Sequence, residues 1–417
     1  MKNENNCHNK KKPELLMPAG SLEKLRYAFA YGADAVYAGV PQFSLRAKEN
    51  AFSEKDLEEG VSYAHKLGKK FYLTTNIIPH NRKIKPFLNK LDDMLQTGPD
   101  ALIVADIGLV DLIKEKHPEV DLHLSVQANA MNWAAVNAWK KLGISRIILS
   151  REVSIEEARE MREMVSGIEL ELFVHGAVCV AHSGRCLLSN FFSYRDANDG
   201  CCTNACRWEY KMYLEEAKRP GEYMEIEEDS NGSYIMNARD LMGVQHLDKI
   251  MNAGIDSVKV EGRNKSIYYL AVTTKAYRMA LDDAFDEKEF NKQYISDLNK
   301  IHNRGYTAGF LVDRANQSSI RYEEGLTNLY TQEFSAVVLK QEKDRLLITP
   351  RNKLCVGDDI EIITPTASYK TKVNSLVDDE NNNLESIHGG TEVKVWMPFD
   401  GGVVSEHSLL SKILKAN

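Results

Sequence analysis

From Pro13 onward the chain alternates short β-rich runs with longer segments of helical periodicity, the rhythm of βα units around a parallel sheet. Strands are expected at Glu14–Met17, Asp34–Ala38, Phe71–Thr75, Ala101–Ala105, Leu122–Val126, Arg146–Leu149, Glu169–Val174, Tyr234–Asn237 and Ser257–Val260. Between them lie helices such as Leu22–Tyr31, Glu54–Leu67, Ile84–Gln96, Trp133–Leu142, Ile155–Val165 and Gln245–Asn252. Ser21 and Ser53 stand where N-caps belong, and Gly32, Gly68 and Gly143 where helices stop. Such alternation sustained over ~250 residues fits a TIM-like (β/α)8 barrel better than an open sheet. Nine strand candidates exceed eight, so one is misread or lies outside the barrel.

The rhythm breaks between Ala177 and Gly232, a stretch of cysteines, Arg/Asn/Gly-rich loops and acidic residues that reads as an insertion after the strand ending at His175. A long helix, Lys265–Leu281, leads into a linker. Short alternating strands then follow at Phe334–Leu339, Arg345–Ile348, Asp359–Ile363, Tyr369–Val373 and Glu392–Met397, as in a small β-barrel. The expected organisation is a tail over 1–12, a barrel domain over 13–285 with its cysteine-rich insertion at 177–232, a linker over 286–329, and a C-terminal β-barrel domain over 330–417.

Hydrophobic residues make up 43% and charged residues 27%, which disfavours disordered, collagenous and coiled-coil classes. No apolar run approaches the ~18 residues of a membrane span, and the polar start through Lys12 has no signal-peptide core, so a cytoplasmic address is expected. A net charge of -7 excludes a protein that grips nucleic acid by global basicity, while leaving room for a local basic groove.

Five of the seven cysteines, Cys179, Cys186, Cys201, Cys202 and Cys206, fall within 28 residues. Four thiolates from two loops can enclose an iron-sulfur cluster or a structural zinc. The tight C-x2-C knuckles common at zinc are absent, which favours a cluster. Adjacent Cys201 and Cys202 do not easily serve one metal, so one of them is spare. Cys7 and Cys355 lie apart and read as incidental.

A second set of signals sits at the C-terminal ends of the expected strands, where barrels of this class place their sites. These are Asn76, Asp106, Gln127 and Asn129, Arg151 and Glu152, His175, Asn237, Arg239 and Asp240, and Glu261 with Arg263. Together they suggest a polar pocket in which Arg151, Arg239 and Arg263 hold a carboxylate or phosphate by fork geometry. His175 is either a general acid or base, a neighbour hydrogen-bonding a cluster sulfur, or a satisfied core histidine. HExxH, GxSxG, GxxxxGK[ST] and a dinucleotide-type GxGxxG are missing, so hydrolase and nucleotide-dependent readings gain no support.

The stretch Glu171–Cys179 followed by His182–Ser189 closely resembles the signature of the peptidase U32 family. Glu14–Gly20, Gly32–Gly39, Arg195–Asn198, Cys206–Tyr210 and Gly254–Arg263 also resemble family blocks, and the C-terminal β-domain resembles the family's usual appendage. Despite the family name, the resemblance implies tRNA modification: prephenate-dependent formation of 5-hydroxyuridine at the wobble position. Related members act on ribosomal RNA or quinone precursors, and a collagenase-type protease is the other alternative. It further implies a [4Fe-4S] cluster on Cys179, Cys186, Cys202 and Cys206, with Cys201 standing where a small residue is usual. From the strand ends the candidate catalytic set is His175, Arg151, Arg239, Arg263, Asn76 and Glu261, with Gln127 and Asn129 toward the substrate, and the resemblance implies that Arg195 and Asn198 belong to the cluster shell or the substrate entrance. The anticodon loop is the expected partner, since its unstacked bases can enter a pocket, and Lys340, Lys343, Arg345, Arg351 and Lys353 are candidate phosphate contacts.

Overall fold

The computed structural model describes residues 11–44, 52–178, 189, 193–195, 203, 213–215, 223–225, 239–312, 329–390 and 393–414. Its first part begins with β1 (Glu14–Pro18), α1 (Leu22–Ala30), β2 (Ala35–Gly39), α2 (Glu54–Lys66), β3 (Lys70–Thr74), α3 (Asn81–Gln96) and β4 (Ala101–Val104). It continues through α4 (Ile107–Lys116), β5 (Leu122–Leu124), α5 (Trp133–Lys141), β6 (Arg146–Ile148), α6 (Ile155–Met164) and β7 (Glu169–Gly176). A short antiparallel pair, β8 (Tyr213–Glu215) and β9 (Tyr223–Glu225), precedes β10 (Asp240–Met242), α7 (Leu247–Asn252), β11 (Ser257–Val260) and α8 (Ile267–Phe285).

The caps are those the sequence calls for. Ser21 accepts from the Lys24 amide, and Ser53 exchanges hydrogen bonds with Asp56 in a full capping box. Strands β1 to β7 pair in parallel in sequence order, and β11 closes the ring by pairing with both β1 and β7. The result is an eight-stranded parallel barrel. The ninth candidate, Tyr234–Asn237, lies outside the described residues, and the ring is complete without it. Two short strands add to the rim: β10 runs antiparallel to the end of β7, and β12 (Tyr306–Thr307), which follows helix α9 (Gln293–Leu298), pairs with β10.

Branched apolar residues usually fill such a barrel. Here the N-terminal half of the interior is ionic. Arg146, 2% exposed, bonds Glu14 at 2.6 Å, Glu169 at 2.6 Å and Glu171 at 3.2 Å, and its guanidinium lies over the Tyr72 ring. Buried charges are tolerated when paired in this way.

The C-terminal part holds β13 (Gln332–Glu342), β14 (Arg345–Pro350), β15 (Leu354–Cys355), β16 (Asp359–Ile363), β17 (Ser368–Lys372), β18 (Leu376–Val377), β19 (Asn383–Leu384), β20 (Ser386–Ile387), β21 (Val395–Pro398) and β22 (Leu409–Ile413). Eight of these form one antiparallel sheet in the order β17-β16-β22-β13-β14-β21-β18-β19, folded over its own core of residues such as Ile348, Ile362, Met397 and Leu410. It docks on the barrel's α1 and α8 side: the Tyr31 hydroxyl donates to the Ile363 carbonyl, Tyr268 stacks on Phe334, and Lys275 donates to the carbonyls of Thr364 and Ala367. Among the described residues, no helix is long and apolar enough to cross a membrane.

Candidate active site at the barrel mouth

The C-terminal ends of the strands gather most of the expected polar residues at one rim. After β3, the Asn76 amide donates to Gln127 Oε1 at 2.7 Å and to Ser125 Oγ at 3.2 Å, linking it to the turn that follows β5. That turn replaces the end of the expected Leu122–Val126 strand with a 3-10 helix over Val126–Ala128, closed by Asn129 in the left-handed conformation. Asn76 and Gln127 are both buried.

Next along the rim, after β6, the Arg151 guanidinium lies over the Phe173 ring, donates to the Ala177 carbonyl at 3.0 Å and approaches Glu261 at 3.5 Å. Glu261 follows β11, and Arg263 beyond it donates to Ser44 Oγ at 2.9 Å. Two glycines permit this crowding. Gly176 has φ +103, and a Cβ there would stand 2.4 Å from the Glu261 carbonyl oxygen, while one on Gly262, at φ +154, would meet the Tyr269 ring at 2.7 Å.

His175 is placed by an irregularity of its strand. Strand β7 shifts register against β11 between Phe173 and His175, so Val174 takes up a bulge and the alternation of side chains slips. The His175 ring therefore packs among Tyr269, Tyr277 and Tyr306, with Nδ1 3.3 Å from the Tyr277 hydroxyl. Burial pushes its pKa down to about 3, which keeps the imidazole neutral at pH 7. Its Nε2 has no partner among the described residues.

Other expected members divide. Arg239 is half-buried beside Gly305, its Nε without a partner among the described residues. Arg195 is exposed. Asp106 caps α4 by accepting from the Leu109 amide, and Asp240 pairs with Arg304, so both serve the fold. Cys179, Cys186, Cys201, Cys202, Cys206, Asn198 and Asn237 lie outside the described residues. No group of three or more metal-binding side chains occurs among the described residues.

Of the candidate phosphate contacts, Arg351 pairs with Glu23, while Lys340 and Arg345 share Glu342 and lie over the Trp396 ring. Lys343 and Lys353 are exposed. Residues the sequence reading missed are Ser44, Ser125, Tyr37, Phe173 and the buried Lys259. The inward alternation Glu171/Phe173 on β7 and Lys259/Glu261 on β11 is the signal that could have found the last two.

Comparison with known proteins agrees with this architecture. The model of peptidase family U32 matches residues 20–321, and that of the U32 C-terminal domain matches 330–410. The chain belongs to peptidase family U32. Within the family it is 42% identical to the tRNA hydroxylation protein P of Escherichia coli (strain K12), over 96% of this chain and 97% of that one. It is 36% identical to tRNA hydroxylation protein P1 of Bacillus subtilis (strain 168), over 90% and 89% of the two chains. A 23S rRNA 5-hydroxycytidine C2501 synthase of E. coli is 30% identical over 97% of this chain and 60% of its own length. Two of the U32 blocks quoted from the sequence lead to the rim: Glu171–Gly176 lies within β7, and Gly254–Arg263 carries β11 and both of its mouth residues.

Proposed function

We propose that this chain is a tRNA-hydroxylating enzyme that forms 5-hydroxyuridine at the wobble position, working in the cytoplasm with prephenate as a small acid co-substrate and a [4Fe-4S] cluster. The observation that carries the reading is the likeness to tRNA hydroxylation protein P across both domains, 42% over 96% of the chain. The ribosomal RNA synthase is less similar, and this chain covers only 60% of it.

Cys179, Cys186, Cys202 and Cys206 would hold the cluster, a donor set of four thiolates that suits iron-sulfur ligation, with zinc as the other metal it fits. When bound, such a cluster supplies electron transfer. Support for its place at the mouth comes from the chain path: β7 delivers Ala177 to the rim, two residues before Cys179, and Arg151 grips the Ala177 carbonyl. His175, four residues before Cys179 and with an Nε2 that has no partner among the described residues, suits a neighbour of that segment better than a general acid.

The protein's own groups then divide the work. Arg151 and Arg263 orient the acid co-substrate by charge-assisted hydrogen bonds. The amides of Asn76 and Gln127 meet the edge of the entering base, and Glu261 holds Arg151 in place until the acid arrives. Lys343 and Lys353 approach phosphates of the anticodon arm. Mass spectrometry of tRNA nucleosides from a strain lacking the gene tests the reading: loss of 5-hydroxyuridine and its derivatives is expected, and an unchanged nucleoside profile, with no second family member in the genome, refutes it.

A further inference from the structure

Between the two mouth arginines the barrel interior carries an alternating series of cations and rings. The Arg151 guanidinium is 4.2 Å from the Phe173 centroid, and Lys259 Nζ is 5.6 Å from the same ring. Lys259 Nζ is also 4.3 Å from the centroid of Tyr37, whose other near cation is Arg263 at 5.6 Å. The order across the barrel is therefore Arg151, Phe173, Lys259, Tyr37, Arg263, built on the ends of β6, β7, β11 and β2.

Strand geometry explains the series. Phe173 and Lys259 are register partners on adjacent parallel strands, and both follow inward-facing residues two positions earlier, Glu171 and Ser257. Tyr37 is fixed at its far end by donating to the Val260 carbonyl at 2.9 Å. Lys259, 3% exposed, donates to Glu171 Oε1 at 2.9 Å, and Glu171 in turn takes Arg146 at 3.2 Å. Burial pulls the Lys259 pKa down, and the Glu171 carboxylate opposes that pull.

An apolar side chain would fill this layer at lower desolvation cost. The ammonium instead ties two rings together, and each ring is the seat of one mouth arginine. We infer that Lys259 is a positioning residue that sets the spacing of Arg151 and Arg263, and so makes the mouth selective for a small acid with two carboxylates matching that spacing. The inference rests on the reading that these arginines receive an acid co-substrate, and it names the device that tunes them.

The test compares the full-length protein with Lys259→Met and Lys259→Arg by calorimetric titration of prephenate, a diacid, and phenylpyruvate, a monoacid, and by crystal structures of each. Lys259→Met should fold, because Glu171 keeps Arg146. If it does not, Lys259→Met/Glu171→Gln, which removes both charges of the pair, is read in its place. Prephenate affinity should fall at least about tenfold, the scale of one misplaced charged hydrogen bond. Phenylpyruvate affinity should change little, and Lys259→Arg should recover part of the loss. Unchanged prephenate affinity, or equal loss for both acids, overturns the inference. If the wild-type protein binds neither acid, the acid reading fails by itself and the crystal structures decide: displaced Arg151 and Arg263 guanidinia in Lys259→Met uphold positioning, and unmoved ones overturn it.

Discussion

Replacing Arg146 with methionine tests whether the ionic interior of the barrel is a stabilising network. Arg146 serves three carboxylates, and their fates differ once it is gone. Glu171 retains Lys259 at 2.9 Å. Glu169, with 40% of its side chain exposed, can rehydrate. Glu14 is left worst off, keeping the Tyr72 hydroxyl at 2.7 Å, Ser257 at 3.3 Å and a distant Lys70 at 3.9 Å. Breaking a buried pair by removing one partner costs about 3–5 kcal/mol, and with one carboxylate stranded the lower end, about 3 kcal/mol, is expected here. Urea unfolding followed by circular dichroism reads it directly. Glu14→Gln added to Arg146→Met should restore part of the loss.

The pH dependence supplies the sign. Burial alone would raise the Glu169 carboxyl, but the charge and hydrogen bonds of Arg146 hold it below its ordinary range. Its contribution is thus present above the unfolded carboxyl pKa of ~4.3 and is lost as pH falls. The gap between wild type and Arg146→Met should accordingly be widest near pH 7 and narrow in acid. A loss under ~1 kcal/mol at pH 7, the range of an exposed pair, would refute the reasoning.

Three further outcomes follow from the site. His175 has a folded pKa of about 3 against ~6.5 unfolded, so stability should fall with acid from pH ~6.5 toward 3 by up to ~1.4 kcal/mol per unit; His175→Phe should flatten that slope in urea midpoints, and an unchanged slope contradicts its burial as neutral imidazole. Arg151→Gln should weaken prephenate binding about tenfold or more in calorimetry, with Arg151→Lys recovering only part because the fork is lost, and wild-type affinity in either variant would remove Arg151 from the acid site. Lys343→Ala/Lys353→Ala should lower the slope of log tRNA affinity against log salt by about 1.5–2, whereas an unchanged slope means that neither lysine meets a phosphate.

What was legible in the sequence was local or periodic. Ser21 and Ser53 cap because a hydroxyl three residues before an amide is a local geometry, and the barrel strands show because each is a short apolar run between helices. The interior was not legible. Glu14, Arg146, Glu171 and Lys259 read as surface charges in a linear sequence, and only barrel closure, which places β11 between β1 and β7, brings them together. The role of His175 stayed open among three for a similar reason, since the bulge at Val174 inverts an alternation that the sequence shows as unbroken. Strands β10 and β12 are too short to carry a pattern, and β22 continues a sheet whose register is set by pairing with β13 and β16. The cysteines were legible by clustering alone, and their spacing left cluster and zinc both open.

The most direct test of the account joins the cysteines to the RNA. A strain lacking the gene is complemented with the intact gene or with Cys186→Ala, and its tRNA nucleosides are measured by mass spectrometry. The account expects 5-hydroxyuridine-type nucleosides to return with the intact gene alone. Their return with Cys186→Ala as well would contradict a thiolate-held cluster in tRNA hydroxylation.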